Sequence, residues 1–352
     1  MELMYTVNPG IEDIAADEIS RELGGSISYE LMSGHVYHVV ENVDYEAFYR
    51  LRSINKVFTL IWKGIIGKGI EDLVLFSKSL SQILRERRIW EYVTPHTSFA
   101  VETERIGEHK FTSIDISRII GELVIKVVEE VTGKKPKVNL RTPNTIVHAF
   151  VRQDKVFVGI SLSGSRSLHR RGYRLYDHPA ALKPTLAYAM LTLSGTRDKD
   201  LIVDPMCGGG TIPIEAAYIH EDSNIYCLDV NKRYVEVAEK NAFAAGVVYK
   251  ITFDQWDARR IHEYNFPSNI DRVVSNPPYG IRYGDPRVIR RLYSSFLESL
   301  YKVLSDNGRV TLITTEYTFL NRLIEKLGYI KIHERIVQHG GLYPHIVVFT
   351  KK

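Results

Sequence analysis

A chain of 352 residues with 44% hydrophobic and 25% charged residues has the composition of a globular protein of two to three domains and excludes wholesale disorder. No apolar run approaches the roughly 18 residues of a membrane span, and the acidic start MELMYTVNPGIEDIAADEI does not read as a secretory signal. The net charge of +4 conceals a segregation: residues 1–133 carry 14 Lys/Arg against 21 Asp/Glu, whereas 134–174 carry ten against Asp154 alone.

Residues 1–55 predict a strand at MYTVNP, a helix from Gly10 to Leu23, strands around Gly25–Leu31 and Gly34–Val40, and a helix over Val43–Ile54. That order suggests a small ferredoxin-like domain. Residues 56–163 predict a second α/β unit. It holds the strand FTLIWKGI, an amphipathic helix near 71–86, the alternating strand SFAVETER, a helix over Ser113–Val131, and a hairpin turning at Gln153–Lys155. A polar, basic linker spans 164–183.

From 184 to 352 the pattern becomes regular alternation. Pro184 opens a helix, where its missing N–H costs nothing. Strands LIVD, NIYCLDV, ITFDQWD, DRVVSNPP and RVTLITT then alternate with helices at Thr211–His220, Lys232–Ala245, Arg287–Leu304 and Thr318–Leu327. YIKIHERIV and HIVVFTK close the chain as an antiparallel hairpin. This predicts a doubly wound, Rossmann-type parallel sheet with helices on both faces.

Only Cys207 and Cys227 occur, so neither a disulfide framework nor a four-cysteine zinc site is expected, and no metal. A reducing cytoplasm is the expected compartment. In the basic stretch, Arg166, Arg170, Arg171 and Arg174 crowd a Ser/Gly-rich segment interleaved with His169, Tyr173 and Tyr176. A solvated basic face is the bland explanation. Guanidinium forks beside aromatic rings instead suit a nucleic-acid backbone. These arginines, with Lys137, are the candidate RNA contacts.

The strand Leu201–Val203 runs into Asp204-Pro205-Met206-Cys207-Gly208-Gly209-Gly210-Thr211. In an open α/β sheet the crevice beyond the strand ends is the ligand site. Pro213 occupies the place of the third glycine of a dinucleotide fingerprint, and no lysine follows as in a P-loop. An acid at the strand end suits a cationic amine, such as that of S-adenosylmethionine. Asp229 and Asp257 close the next two strands, placed for ribose hydroxyls and for the adenine amino group. An isolated strand-end Asp is commonly a helix cap; three in succession beside a glycine loop point to the cofactor. The candidate contact set is Asp204, Cys207, Gly208, Gly210, Thr211, Asp229, Asp257, Ala258 and Asn276.

Asn276-Pro277-Pro278-Tyr279 follows the fourth strand. A planar nucleobase amine is a poor nucleophile because its lone pair is delocalised. The Asn276 side-chain oxygen and the Pro277 carbonyl, accepting its two N–H bonds, would pull it toward tetrahedral geometry. Two prolines stiffen that corner, and Tyr279 is placed to stack on the base. Asn276, Pro277 and Tyr279 are therefore the candidate catalytic residues.

DPMCGGGTIPIEAA, NPPYGIR and LHRRGYR with HPAALKPTLA together resemble the RNA guanine-N2-methyltransferases that carry a THUMP domain. TVNPGIEDIAADEI and FAVETERIGEHKFTSIDISRIIGELV resemble their N-terminal ferredoxin-like and THUMP parts. The resemblance implies methylation from S-adenosylmethionine of a tRNA guanosine, at acceptor-stem nucleotide six. Alternative targets are another tRNA guanosine, such as position 10, or 23S rRNA; a non-catalytic RNA-binding protein is a third class. It implies a THUMP module gripping the single-stranded tRNA end, places Thr185 near the cofactor, and suggests a monomer. Gly209 stands where the family commonly has Ser.

Overall fold

The computed structural model describes residues 1–165, 167–175, 181–280 and 286–352. Arg166 and Tyr176 lie outside the described residues. The chain begins β1 Glu2–Val7, α1 Glu12–Leu23, β2 Ser26–Tyr29, β3 His35–Val39, α2 Ala47–Arg50 and β4 Ile54–Ile65. It continues α3 Asp72–Glu86, β5 Ser98–Ile106, α4 Ser113–Thr132, β6 Lys137–Val138, β7 Thr145–Arg152 and β8 Lys155–Ser161.

These strands form one sheet in the order β2-β3-β1-β4-β8-β7-β5-β6. Side-chain alternation decides what each face meets. Leu3, Tyr5 and Val7 of β1 pack with Ile14 and Ile19 of α1, while alternate residues of β7 and β8, such as Val147 and Val158, pack with Ile120 and Val124 of α4. Thr112 caps α4 through a reciprocal bond with Asp115. On the opposite face His35 of β3 lies 5.3 Å from the Phe150 ring of β7, although β1, β4 and β8 stand between them. The sheet therefore curls, enclosing Met4, Phe58, Phe150 and Phe157.

β4 pairs with β1 on one side and β8 on the other, so one backbone ladder carries both units of this half. A helix expected through Ile54 instead stops at Arg50. The β-branched and aromatic run from Ile54 favours a strand, and Glu18 of α1 accepts the backbone N–H groups of Arg52 and Ser53 at 2.8 and 2.9 Å, pinning the turn.

The second half runs α5 Pro184–Ser194, β9 Leu201–Asp204, α6 Thr211–Ile219, β10 Asn224–Asp229, α7 Lys232–Ala244, β11 Ile251–Gln255 and β12 Ile270–Ser275. It ends with α8 Pro286–Tyr301, β13 Leu304–Thr314, α9 Tyr317–Lys326, β14 Tyr329–Ile336 and β15 His345–Lys351. The sheet order is β11-β10-β9-β12-β13-β15-β14. The first five strands are parallel. β15 runs antiparallel between β13 and β14, so the terminal hairpin leaves β14 at the edge. From β9 the chain moves outward to β10 and β11, then returns to β12 on the other side. The switch point falls between β9 and β12, where this architecture holds its ligands. No helix among the described residues is long and apolar enough to cross a membrane.

Candidate active site

Strand order sets the site. Read across the sheet, the carboxyl ends of β11, β10, β9 and β12 present Asp257, Asp229, Asp204 and Asn276 in that sequence. Three inter-strand gaps at roughly 4.8 Å each make a row about 14 Å long, with the glycine loop above its centre.

Asp204 is 3% exposed. Its carboxylate accepts from the Ser275 hydroxyl at 2.7 Å and the Met206 N–H at 3.2 Å. Burial drives its pKa up to about 7, against the opposing pull of those two donors. The Ser275 bond crosses the switch point and ties the glycine-loop strand to the residue before Asn276. Asp229 is held on both oxygens, by Gly208 N–H at 3.0 Å and Asn231 N–H at 2.9 Å. Asp257 receives a forked bond from Arg259 at 2.6–3.0 Å, which holds its carboxyl below the usual range. Beside it lies a shallow cavity lined by Val230, Gln255, Trp256, Asp257 and Arg260. A separate cavity between Glu221 and Thr252 sits at the opposite end of β10 and β11, away from these groups.

Gly210 has φ of +79°, and a Cβ there would stand 2.9 Å from Ala238 of α7; only glycine allows this approach. Thr211 and Ala258 start the helical turns after the loop and after Asp257. Cys207 and Cys227 form a disulfide. No framework was expected, and this single bridge departs from that expectation: the loop folds back so that Cys207 N–H meets the Leu228 carbonyl at 3.0 Å, which brings the two sulfurs together. Among the described residues no cluster of His, Cys, Asp or Glu has the make-up of a metal site.

At the Asn276 corner, the Tyr279 hydroxyl donates to Asn276 Oδ1 at 2.6 Å. This bond orients the amide oxygen and leaves the expected stacking of the Tyr279 ring on a base compatible with it. Pro277 is buried. Tyr293 of α8, buried and with its hydroxyl driven upward in pKa by burial, donates to the Pro278 carbonyl at 3.2 Å and meets Thr314 Oγ1 at 2.9 Å. Ser275 and Tyr293 escaped the sequence reading. Ser275 was visible as the residue before the tetrad, whereas Tyr293 had no signal in the chain.

The basic linker corrects the expectation most. Arg171 is largely buried, donating to Glu215 Oε1 at 3.0 Å and to the Arg52 carbonyl at 2.7 Å. Arg174 donates to the Leu182 carbonyl and to Thr211 Oγ1. Both guanidiniums bond inside the protein, because Glu215 and the start of α6 lie beneath this segment. Arg170 and Lys137 are exposed. Thr185 is fully buried and donates to Asn8 Oδ1 of the N-terminal half at 2.8 Å, so its hydroxyl is turned to that junction. Asn241, also unforeseen, joins the Gly209 carbonyl to the Leu175 N–H.

A doubly wound sheet with acids at successive strand ends, a glycine loop and an Asn-Pro-Pro-Tyr corner defines a methyltransferase, and residues 171–345 match the RMKL-like methyltransferase domain family while 86–161 match the THUMP domain. The chain is 32% identical to a tRNA (guanine(6)-N2)-methyltransferase of Methanocaldococcus jannaschii, over 99% of this chain and 100% of the relative. A Thermus thermophilus protein of the same name is 34% identical over all of both chains. The crystal structure of TrmN from Thermus thermophilus superimposes with a TM-score of 0.82 at 29% identity, covering 100% of this chain and 99% of that one. The chain belongs to this family of THUMP-bearing guanine-N2-methyltransferases.

Proposed function

We propose that this protein transfers a methyl group from S-adenosylmethionine to the exocyclic N2 of a tRNA guanosine, at acceptor-stem nucleotide six. The observation carrying the reading is the row Asp257–Asp229–Asp204–Asn276 across four adjacent strand ends. The acids suit, in order, an adenine amino group, ribose hydroxyls and an aliphatic ammonium. Asp204 suits the ammonium: it is a buried carboxyl with a raised pKa whose hydrogen-bond donors, the Met206 N–H and the Ser275 hydroxyl, are neutral, and a positive neighbour would stabilise its charged form. When bound, the cofactor supplies an electrophilic methyl.

Asn276 and Pro277 do the remaining work. Their oxygens accept the two N–H bonds of the target amine and direct its lone pair away from the ring. Tyr279 holds the Asn276 oxygen and Tyr293 holds the adjoining Pro278 carbonyl, which fixes the corner from both sides, so little reorganisation is needed at the moment of transfer. The product amine is cationic and loses a proton without a dedicated base. A guanine in a paired stem must leave its stack to reach this corner. The THUMP part grips the tRNA terminus, and Arg170 and Lys137 remain available for phosphates.

The test is incubation with tritiated adenosylmethionine and unmodified tRNA, followed by nucleoside mapping. Label as N2-methylguanosine at one acceptor-stem site is expected; label elsewhere or none refutes the assignment. Asn276→Ala should lower transfer by about 10²–10³-fold and leave tRNA affinity within about twofold. Equal loss of both would remove Asn276 from catalysis.

A further inference from the structure

We infer that Glu215 is a positioning residue that determines which tRNA nucleotide enters the catalytic corner, an inference resting on the tRNA-methylation reading above. Glu215 lies on α6, one turn after Thr211, and its side chain is fully buried. Oε2 accepts from Arg52 at 2.9 Å. Oε1 accepts from Arg171 and from the Tyr173 hydroxyl, each at 3.0 Å. Arg171 also clasps the Arg52 carbonyl, and the Arg52 guanidinium lies 4.2 Å from the centre of the Tyr218 ring. Three segments distant in sequence therefore meet on one carboxylate: the turn before β4, the linker, and the helix that leaves the glycine loop.

Such a cluster is a poor device for stability alone, since removing charges from water offsets most of their attraction, and well-packed apolar groups do as well. Its best-attested use is to specify register. Here the register has a clear lever. Arg52 stands two residues before β4, the strand whose far edge carries β8 and the THUMP half of the sheet. A small rotation at Arg52 is carried by that ladder to the THUMP half, while α6 keeps the other end of the tie at the cofactor loop. The offset between the RNA clamp and Asn276 is therefore set where Arg52 meets Glu215. With the carboxylate neutralised, two half-buried guanidiniums share one site without their common anion, and the angle between the halves loosens.

The experiment uses the full chain and tRNA transcripts whose acceptor stem is of natural length, or longer or shorter by one base pair. A misplacement of about 1 Å can cost about a hundredfold in rate, so the wild type should lose about that factor in kcat/KM on the altered stems. Glu215→Gln should reduce the discrimination to about tenfold or less and spread N2-methylguanosine over neighbouring nucleotides, with S-adenosylhomocysteine affinity by calorimetry kept within about twofold. Wild-type discrimination and a single labelled nucleotide in Glu215→Gln would overturn the inference. If that variant does not fold, Arg52→Lys, which keeps the charge and loses the fork, is read by the same two criteria. Absence of transfer by the wild type on any stem would instead overturn the tRNA-methylation reading itself.

Discussion

Two cores of this molecule are built differently. One is confined to the THUMP side, where Phe99, Ile116, Ile120, Val147 and Val158 pack among themselves under α3 and α4. The other is continuous across the junction of the two halves: Ile11, just before α1, and Ile14 and Ile19 of α1 pack in the same cluster as Leu186 and Met190 of α5, Ile212 of α6 and Ala238 of α7. Polar ties frame that junction, with Asp13 taking a forked bond from Arg335 at 2.6 and 2.8 Å and Arg21 donating to Tyr188 at 3.1 Å. The N-terminal unit and the catalytic sheet thus share apolar burial, whereas the THUMP core under α3 and α4 is separate from it and joins the N-terminal unit through the β4–β8 ladder and the small cluster of Met4, Phe58, Phe150 and Phe157 on the other face of the sheet. A substrate clamp and a catalyst can be held at fixed distance this way without the clamp's core touching the active site.

The contrast is sharpest under truncation of the separate core. Phe99→Ala should cost about 3–5 kcal/mol, with hydrogen-exchange protection lost over the THUMP strands and adenosylhomocysteine affinity retained; loss of cofactor binding would show that the cores are one. Leu186→Ala, in the shared core, should cost about 2–5 kcal/mol, and protection should fall together in β1, α1 and the catalytic sheet. A change limited to one side of the junction would contradict the continuity.

Titration probes the catalytic half by itself. The folded pKa of Asp204, about 7, lies above its ordinary value of 3.8. Its protonated form therefore contributes stability that is fully present below pH 4 and is lost as pH rises through 7. Cofactor affinity has the opposite slope, because an ammonium prefers the carboxylate. It should climb by up to tenfold per pH unit toward pH 7 and level off above, with Asp204→Asn flattening the profile; a flat wild-type profile would remove Asp204 from the ammonium site. The smallest effect is expected at the exposed surface. Arg170→Ala should weaken tRNA binding a few-fold and reduce the salt slope by about one, while Arg171→Ala should leave that slope unchanged and lower stability instead.

Much of the site was legible because it is local. Acids at strand ends, glycines in the following turn and the Asn-Pro-Pro-Tyr corner lie within short segments whose strand–turn–helix pattern is written in hydrophobic periodicity. Arg171 and Arg174 were misread for the opposite reason. A run of arginines without adjacent acids looks free, but Glu215 lies 44 and Thr211 37 positions further on, and only folding brings them underneath. Thr185 turned toward Asn8, 177 residues away, for the same reason, and Ile54 joined a strand whose partner there, Val7 of β1, comes from elsewhere in the chain.

By itself the amino-acid order determined the alternating elements, the doubly wound sheet and the residues offered at its strand ends, since these follow from nearest neighbours and side-chain period. Tertiary structure alone decided the left-to-right order of those ends, the bond from Ser275 to Asp204, the pairing of Cys207 with Cys227 and the burial of Glu215 with two arginines. Each of these depends on contacts between distant segments, whose energies exist only once the sheets have formed and water has been excluded between them.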